Sequence, residues 1–202
     1  MPVGLYRKQD PAGQSKYQST KDLAGRQERV LPGTPGILKQ RTQSGKKYWV
    51  REYIRADSKK TDEYIGPESS ISKTQIAKWT SQIDLAKALA AGSASLRLFG
   101  YQRIDRKPAA VIEVFFNRGL IQGGLVLVGS HAYGALLNEL GLFAPGYRTG
   151  DIDVARASRL TVALPVGLSP QDVLKETGKP SASFMLPGAD GIAVDLLVPG
   201  KQ

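Results

Sequence analysis

The stretch LVLVGS (125–130) and the stretch TGDIDVA (149–155) decide the fold that the sequence predicts. The first is an apolar run that ends in Gly129-Ser130, a pattern typical of a buried strand leading into a helix. In the second, Asp151 and Asp153 stand at alternate positions of a predicted strand and therefore project from one face. Together they predict a strand, a helix and a second strand that carry a hydroxyl and two carboxylates.

The Gly129-Ser130 turn and the aspartate pair each suit a specific ligand. Glycine lets the backbone approach a phosphate closely, and the N–H groups at the start of a helix favour anions. Asp151 and Asp153 offer oxygen ligands of the kind that Mg²⁺ prefers. Each pattern alone is common, and the alternative interpretation of the two aspartates is that they cap a turn or a helix.

A third carboxylate, Asp195, interrupts the apolar run Ile192–Val198. A charge in such a strand is costly unless it is paired or bound to a metal ion. On a strand beside Asp151 and Asp153 it would complete a cluster of carboxylates that repel one another and favour divalent metal. Two ions are typical, because they stabilise the attacking and leaving oxygens of a phosphoryl displacement. The sequence therefore predicts a metal site made of these three aspartates.

The order of these residues resembles that of the nucleotidyltransferase superfamily with the DNA polymerase beta-type fold. Its pattern is an apolar strand, Gly-Ser, a helix, Asp-x-Asp and a third Asp on a later strand. Gly129-Ser130, Asp151-Ile152-Asp153 and Asp195 match that pattern. Over residues 108–200 the chain is most similar to an uncharacterised prokaryotic nucleotidyltransferase-like family. The resemblance implies an α/β (α+β) fold with a mixed β-sheet flanked by helices.

The resemblance also implies an activity and roles for the matching residues. The enzyme would transfer a nucleoside monophosphate from an NTP to a hydroxyl acceptor, RNA or protein, and release pyrophosphate. Gly129 and Ser130 would hold the β- and γ-phosphates. Asp151 and Asp153 would bind two Mg²⁺ ions, and Asp195 would ligate the catalytic ion and help to deprotonate the acceptor.

Three further expectations concern the surroundings of this site. Arg148 stands just before the carboxylates, and we predict that it contacts a phosphate because a guanidinium matches phosphate geometry. His131 is the only histidine, and at a helix start it is expected to be structural rather than catalytic. Superfamily members usually carry helices after the third carboxylate, whereas this sequence stops at Gln202. We therefore expect a short variant, a fragment or a degenerate copy.

Positive charge is concentrated in the N-terminal third of the chain. The net charge is +10, and residues 1–78 contain 16 Lys and Arg against 8 Asp and Glu. Residues 1–36 combine Gly, Pro, Gln, Ser and Lys with few large apolar side chains. Such a composition buries too little surface to offset the entropy of ordering. It predicts a flexible basic arm over residues 1–36.

A β-hairpin appendage is predicted over residues 37–70. Tyr48–Ile54 and Thr61–Ile65 are aromatic and β-branched runs on either side of a polar loop. Basic and aromatic residues interleave in the hairpin, which suits contact with the backbone of RNA or DNA. The alternative is a small sheet with solvated Lys and Arg side chains. The predicted nucleic-acid contacts are Lys46, Lys47, Trp49, Arg51 and Arg55.

Residues 71–202 are predicted to form the nucleotidyltransferase-like domain. Ser72 and Gln75 suit a capping box at the start of its first helix. Pro108 is placed to open the second helix, and Gly119 is placed to end it. The predicted helices include 72–95, 109–118 and 131–140, and the predicted strands include 125–128, 151–155, 183–186 and 192–198.

Composition excludes several classes of protein. The chain has no cysteine, which rules out a disulfide framework and a thiolate zinc site. The N-terminus lacks the apolar core of a signal peptide, and no run of about eighteen apolar residues is present. We therefore expect a cytoplasmic location without a membrane role, while the oligomeric state is not determined. Two alternative functions stay open: a non-catalytic nucleic-acid-binding protein on a degenerate version of the fold, and a toxin–antitoxin-type protein that acts by association.

Overall fold

The computed structural model describes residues 5–144, 150–156, 181–185 and 193–197, the last two of these segments as backbone only. The chain divides into two compact units. The N-terminal unit is Pro11–Phe99, and the C-terminal unit consists of residues 5–10 with the described residues from Gly100 onward. In chain order the elements are β1 (Arg7–Lys8), α1 (Pro11–Ala24), β2 (Ile37–Gln43), β3 (Lys46–Ile54), β4 (Lys60–Pro67), α2 (Lys73–Leu98), α3 (Arg106–Asn117), β5 (Leu125–Leu127), α4 (Gly129–Glu139), β6 (Leu142–Phe143), β7 (Ile152–Arg156), β8 (Ser181–Met185) and β9 (Ala193–Leu197).

The N-terminal unit contains a three-stranded antiparallel sheet in the order β2-β3-β4. The predicted hairpin is present as β3 and β4. Strand β2 was not predicted, because its sequence ILKQRTQ has only two apolar residues and no clear alternation. It joins β3 through a two-residue turn at Ser44 and Gly45, where φ is 50° and 74°. Positive φ at both positions matches the twist of paired strands in a tight hairpin.

Helix α2 begins at the capping box that the sequence predicts. The backbone N–H of Gln75 donates to Ser72 Oγ at 3.1 Å, and the backbone N–H of Ser72 donates to Gln75 Oε1 at 2.8 Å. The helix continues to Leu98, past the predicted end at residue 95. Its partner is α1, and a Cβ atom added to Gly92 of α2 would lie 2.9 Å from the Thr20 side chain. Small residues therefore allow the two helices to approach closely.

The structure differs from the expectation of a flexible arm over residues 1–36. Residues 11–24 form the 14-residue helix α1, and Leu31 is buried. The carbonyl oxygens of Pro32 and Thr34 accept hydrogen bonds from the buried Arg51 at 2.9 Å each. The composition of residues 1–36 did not predict this structure. Helix α1 packs through small residues, and residues 32–34 are held by the Arg51 side chain of β3.

The C-terminal unit contains a four-stranded mixed sheet in the order β5-β7-β9-β8. Strand β7 is antiparallel to β5 and parallel to β9, and β9 is antiparallel to β8. Together with the four helices of the described residues, this confirms a mixed α/β architecture. The helices α3 and α4 and the strands β5 and β7 contribute buried apolar residues to this unit, among them Val111, Phe115, Leu125, Leu137, Ile152 and Val154.

Within the described ranges, none of the helices is both long and apolar enough to span a bilayer.

Candidate functional site

The end of β5 leads directly into α4 at the Gly129-Ser130 turn. Val128 is the N-cap residue with extended backbone angles, and the helix begins at Gly129. The predicted helix started at residue 131, so the structure adds Gly129 and Ser130 to its first turn. The first N–H groups of a helix have no intrahelical partner and carry a partial positive charge. The turn therefore has the local geometry that favours an anion.

Asp153 lies against Gly129 because β5 and β7 are paired. Leu127 and Val154 are partners in the strand register, and the Val128 N–H donates to the Asp153 carbonyl oxygen at 2.9 Å. A Cβ atom added to Gly129 would lie 2.8 Å from Asp153 Cγ, and φ of Gly129 is +65°. Both the backbone conformation and the space at this position thus require glycine. The contact joins the proposed phosphate turn to one of the predicted metal ligands.

Strand β7 separates core residues from carboxylates by its alternation. Ile152 and Val154 are fully buried, whereas Asp151 and Asp153 are half-buried. Because side chains alternate across a strand, Asp153 projects from the face opposite the buried pair. Strand β7 begins at Ile152, one residue later than predicted, so Asp151 precedes the strand and its place on the same face as Asp153 stays a prediction.

Asp195 lies on β9 at the position opposite Asp153. The two strands are parallel, and the Cα atoms of Asp153 and Asp195 are partners in the register. Ser183 of β8 is the register partner of Asp195 on its other side. The sequence predicts Asp195 on a strand beside Asp151 and Asp153, and the backbone pairs position 195 with position 153. The structure describes residue 195 by its backbone alone.

The remaining predicted residues of this site have a mixed outcome. Arg148 lies outside the described residues. Among the side chains that are described, no group of three or more His, Cys, Asp or Glu residues is arranged to hold a metal ion. The half-buried His131 has an Nε2 atom with no hydrogen-bond partner within the described ranges. The assignment of the three aspartates to a metal site therefore stays a prediction.

Arg51, one of the five predicted nucleic-acid contacts, is a structural residue of the N-terminal unit. Its side chain is 0% exposed. Its guanidinium pairs with Glu63 at 2.9 Å and donates to the carbonyl oxygens of Thr34 and Pro32. It also lies 4.0 Å from the ring centroid of Tyr53. The prediction that Arg51 contacts nucleic acid is wrong, because its donors are used inside the unit.

The other four predicted contacts do not form one surface. Lys46 and Lys47 are exposed, but they are consecutive on β3 and so project from opposite faces of the sheet. Trp49 is half-buried. Arg55 lies beyond the end of β3, where its Nε is 3.7 Å from Asp57 Oδ1. Their role in nucleic-acid binding stays a prediction.

Sequence reasoning missed a cluster of charges around Glu52. This carboxylate is 8% exposed and is contacted by three cationic side chains. The register of β2 on β3 and of β3 on β4 places the cations beside Glu52. Because the sequence did not predict β2, it did not predict this register either. The cations are Lys39, Arg41 and Lys60.

The comparison with known protein families matches residues 106–201 to a family described as nucleotidyltransferase. The match starts at the first residue of α3 and includes the Gly129-Ser130 turn and the three aspartates. No curated protein and no solved structure shows a significant match to the chain.

Proposed function

We propose that the chain is a Mg²⁺-dependent nucleotidyltransferase, because residues 106–201 match the nucleotidyltransferase family. It transfers a nucleoside monophosphate from an NTP to a hydroxyl acceptor on RNA or protein, with release of pyrophosphate. The observation that carries the proposal is the register of Asp153 with Asp195 beside the start of α4. Family membership supports the reaction class, and this juxtaposition supports the residues.

The carboxylates of the site fit a hard divalent cation. Asp153 is half-buried on the face of β7 opposite the core, and Asp151 is half-buried just before the strand, so both are accessible to a ligand. Asp195 is their counterpart on the neighbouring strand. Carboxylate oxygens are the ligands that Mg²⁺ prefers, and three of them repel one another unless a cation is bound. We assign all three aspartates as metal ligands.

The phosphates of the NTP are assigned to the first turn of α4. Gly129 has no side chain, so a phosphate can approach its backbone closely. Ser130 is half-buried in the same turn and offers a hydroxyl and an N–H group. The partial positive charge of the helix N-terminus favours the β- and γ-phosphates there. Arg148 is retained as a proposed additional phosphate contact.

The proposed reaction is an in-line displacement at the α-phosphorus. The acceptor oxygen forms a bond to that phosphorus, and the bond from phosphorus to the oxygen that bridges to the β-phosphate breaks, so that pyrophosphate leaves. Asp195 accepts the proton of the acceptor hydroxyl. Bound Mg²⁺ supplies charge stabilisation for the attacking and leaving oxygens. Gly129 and Ser130 hold the leaving phosphates in position, which is the positioning contribution of the protein.

Transfer of label from an α-³²P-labelled NTP onto RNA or protein tests the proposal. Asp153→Asn should lower incorporation by about 100-fold or more, because metal-mediated charge stabilisation contributes several kcal/mol. Asp105→Asn is the matched control, since Asp105 is exposed and makes no side-chain cap bond. Equal incorporation by the wild type and Asp153→Asn overturns the proposal. The alternatives, a non-catalytic nucleic-acid-binding protein and an association partner, predict no incorporation at all.

A further inference from the structure

One face of the three-stranded sheet in the N-terminal unit combines cations with tyrosine rings. Strand alternation and register define this face, which we call the outer face. Arg51 and Glu63 lie on the opposite face, where the carbonyl oxygens of residues 32–35 contact the guanidinium. The outer face consists of Ile37, Lys39, Arg41 and Gln43 of β2, Lys46, Tyr48, Val50, Glu52 and Ile54 of β3, and Lys60, Asp62 and Tyr64 of β4.

Positive charge on the outer face exceeds the negative charge that balances it. Lys39 and Arg41 each contact a Glu52 oxygen at 2.7 Å, and Lys60 contacts it at 3.1 Å. A single carboxylate is thus shared by three cations, and Asp62 adds a second carboxylate 3.2 Å from Arg41. The side chain of Lys60 is 66% exposed. The cations therefore have both surplus charge and solvent access.

Lys46 adds a cation without a local counter-charge. It is exposed at the end of β3 next to the Ser44-Gly45 turn. Within the described part of the chain it forms no salt bridge. Together with the three cations at Glu52, it makes four cations against two carboxylates on this face, which is electrostatically complementary to a polyanion.

Two tyrosine rings lie side by side among these charges. The ring centroids of Tyr48 and Tyr64 are 5.9 Å apart, and the planes are tilted by 41°. Tyr64 is 63% exposed, although its register partner Val50 on the neighbouring strand is fully buried. The aromatic surface thus extends outward beyond the apolar layer of the sheet. Exposed rings of this kind offer a stacking surface for nucleobases.

We infer that the outer face binds single-stranded RNA. Phosphates would contact the peripheral cations, and bases would stack on the two rings. Asp62 lies between Lys60 and Tyr64 on the same face of β4, and its carboxylate offers an acceptor for a ribose 2′-hydroxyl, the group that distinguishes RNA from DNA. This binding site lies in the N-terminal unit, and its inference does not depend on nucleotide transfer.

Fluorescence anisotropy of a labelled single-stranded RNA with the full chain, without NTP, tests the inference. Tyr64→Ala should weaken binding by about tenfold, since stacking on an aromatic side chain is worth that much or more per base. Tyr64→Phe keeps the ring and should bind like the wild type. Equal affinity of Tyr64→Ala and Tyr64→Phe overturns the assignment of the stacking surface.

Two further arms test the charge and the identity of the ligand. Lys46→Ala removes a cation that supports no ion pair of the described residues, and it should reduce the slope of log affinity against log salt by about 0.7. An unchanged slope overturns the assigned phosphate contact. Single-stranded DNA of the same sequence, duplex RNA and an acidic peptide should each bind more weakly, and equal or tighter binding of any of them overturns the inference. Because the titration contains no NTP, its outcome is independent of whether the chain transfers a nucleotide, so failure of the inference and failure of the transferase proposal are distinguishable.

Discussion

The two sheets of this protein both carry acidic side chains, but the surroundings of those side chains differ. In the N-terminal unit, Glu52 is surrounded by Lys39, Arg41 and Lys60 of its own sheet. In the C-terminal unit, Asp153 lies against the backbone of Gly129 at the start of a helix, and its register partner is another aspartate. The counter-charges of Glu52 come from its own sheet, whereas the register position opposite Asp153 is occupied by a second aspartate.

This difference teaches how charge should be interpreted in this chain. A high content of Lys and Arg in residues 1–78 suggested a basic surface throughout the N-terminal third. The Arg51 guanidinium forms its contacts inside the N-terminal unit, and Glu52 offsets part of the positive charge of its neighbours. A ligand surface is therefore identified by what remains after internal pairing, and not by composition.

The largest effect should come from Arg51→Met, which tests the structural role of the buried arginine in the N-terminal unit. The change removes the buried partner of three carbonyl oxygens and leaves Glu63 with Arg29 alone, which should destabilise the N-terminal unit by about 3 kcal/mol. Urea unfolding followed by tryptophan fluorescence measures it, because both tryptophans, Trp49 and Trp79, lie in this unit. Arg26→Met at an exposed arginine is the control. A loss below about 1 kcal/mol would refute the structural role of Arg51.

Gly129→Ala tests the other side of the comparison, at the aspartate cluster. The added methyl group is disfavoured by the positive φ and collides with the Asp153 side chain. The displaced carboxylate should lower nucleotide transfer by about 100-fold, as expected for a misplacement of about 1 Å. Gly134→Ala on the same helix is the control, since a Cβ atom there meets its nearest neighbour at 3.5 Å. Equal loss in both variants would show that the effect is not specific to the Asp153 contact.

Glu52→Gln tests how the ionised Glu52 carboxylate contributes to stability as a function of pH. The hydrogen bond from Lys39 lowers the pKa of Glu52 from 4.5 to about 2, against the opposing effect of burial and with a further hydrogen bond from Lys60. The lowered pKa means that the folded state keeps this carboxylate ionised where the unfolded chain protonates it. The stabilisation is complete above about pH 4.5 and is lost as pH falls towards about 2.

The free energy of unfolding should therefore fall in Glu52→Gln at pH 7, and the difference from the wild type should shrink at pH 3. Urea titrations at both pH values measure it. Asp84→Asn, which removes an exposed carboxylate paired with Lys87 on α2, should change stability less at pH 7. A Glu52→Gln difference that is the same at both pH values would refute the ionic origin of the effect.

The smallest effect should come from Ser72→Ala at the start of α2. Removing the hydroxyl leaves the Gln75 N–H without its cap and should cost about 1 kcal/mol. Ser93→Ala, at an exposed interior position of the same helix, should be neutral or slightly stabilising, because alanine is the better helix former. If both variants changed the urea midpoint in the same direction, the cap would not be the cause.

Local patterns predicted the elements whose cause is local. The capping box at Ser72 located the start of α2, and the apolar run before Gly129 located β5. The family that residues 106–201 match was also predicted from the order of Gly129-Ser130 and the aspartates. Neighbouring residues carry the signal for the helix start and the strand, and the order of residues along the chain carries the signal for the family.

Contacts between distant segments escaped prediction. Strand β2 and helix α1 have little apolar content of their own, so their order depends on partners elsewhere in the chain. The burial of Arg51 depends on carbonyl groups from residues 32–35. No pattern within the hairpin distinguishes this arginine from a solvated one.

The sequence by itself determined which chemical groups this protein offers and their spacing along each strand, because alternation and capping act over a few residues. Only the tertiary structure decided which groups meet. The parallel pairing of β7 with β9 brings position 195 opposite Asp153, and the register of β2 on β3 gathers three cations around Glu52. The physical reason is that strand register joins distant segments, and the energy that selects it comes from packing and pairing across the whole sheet.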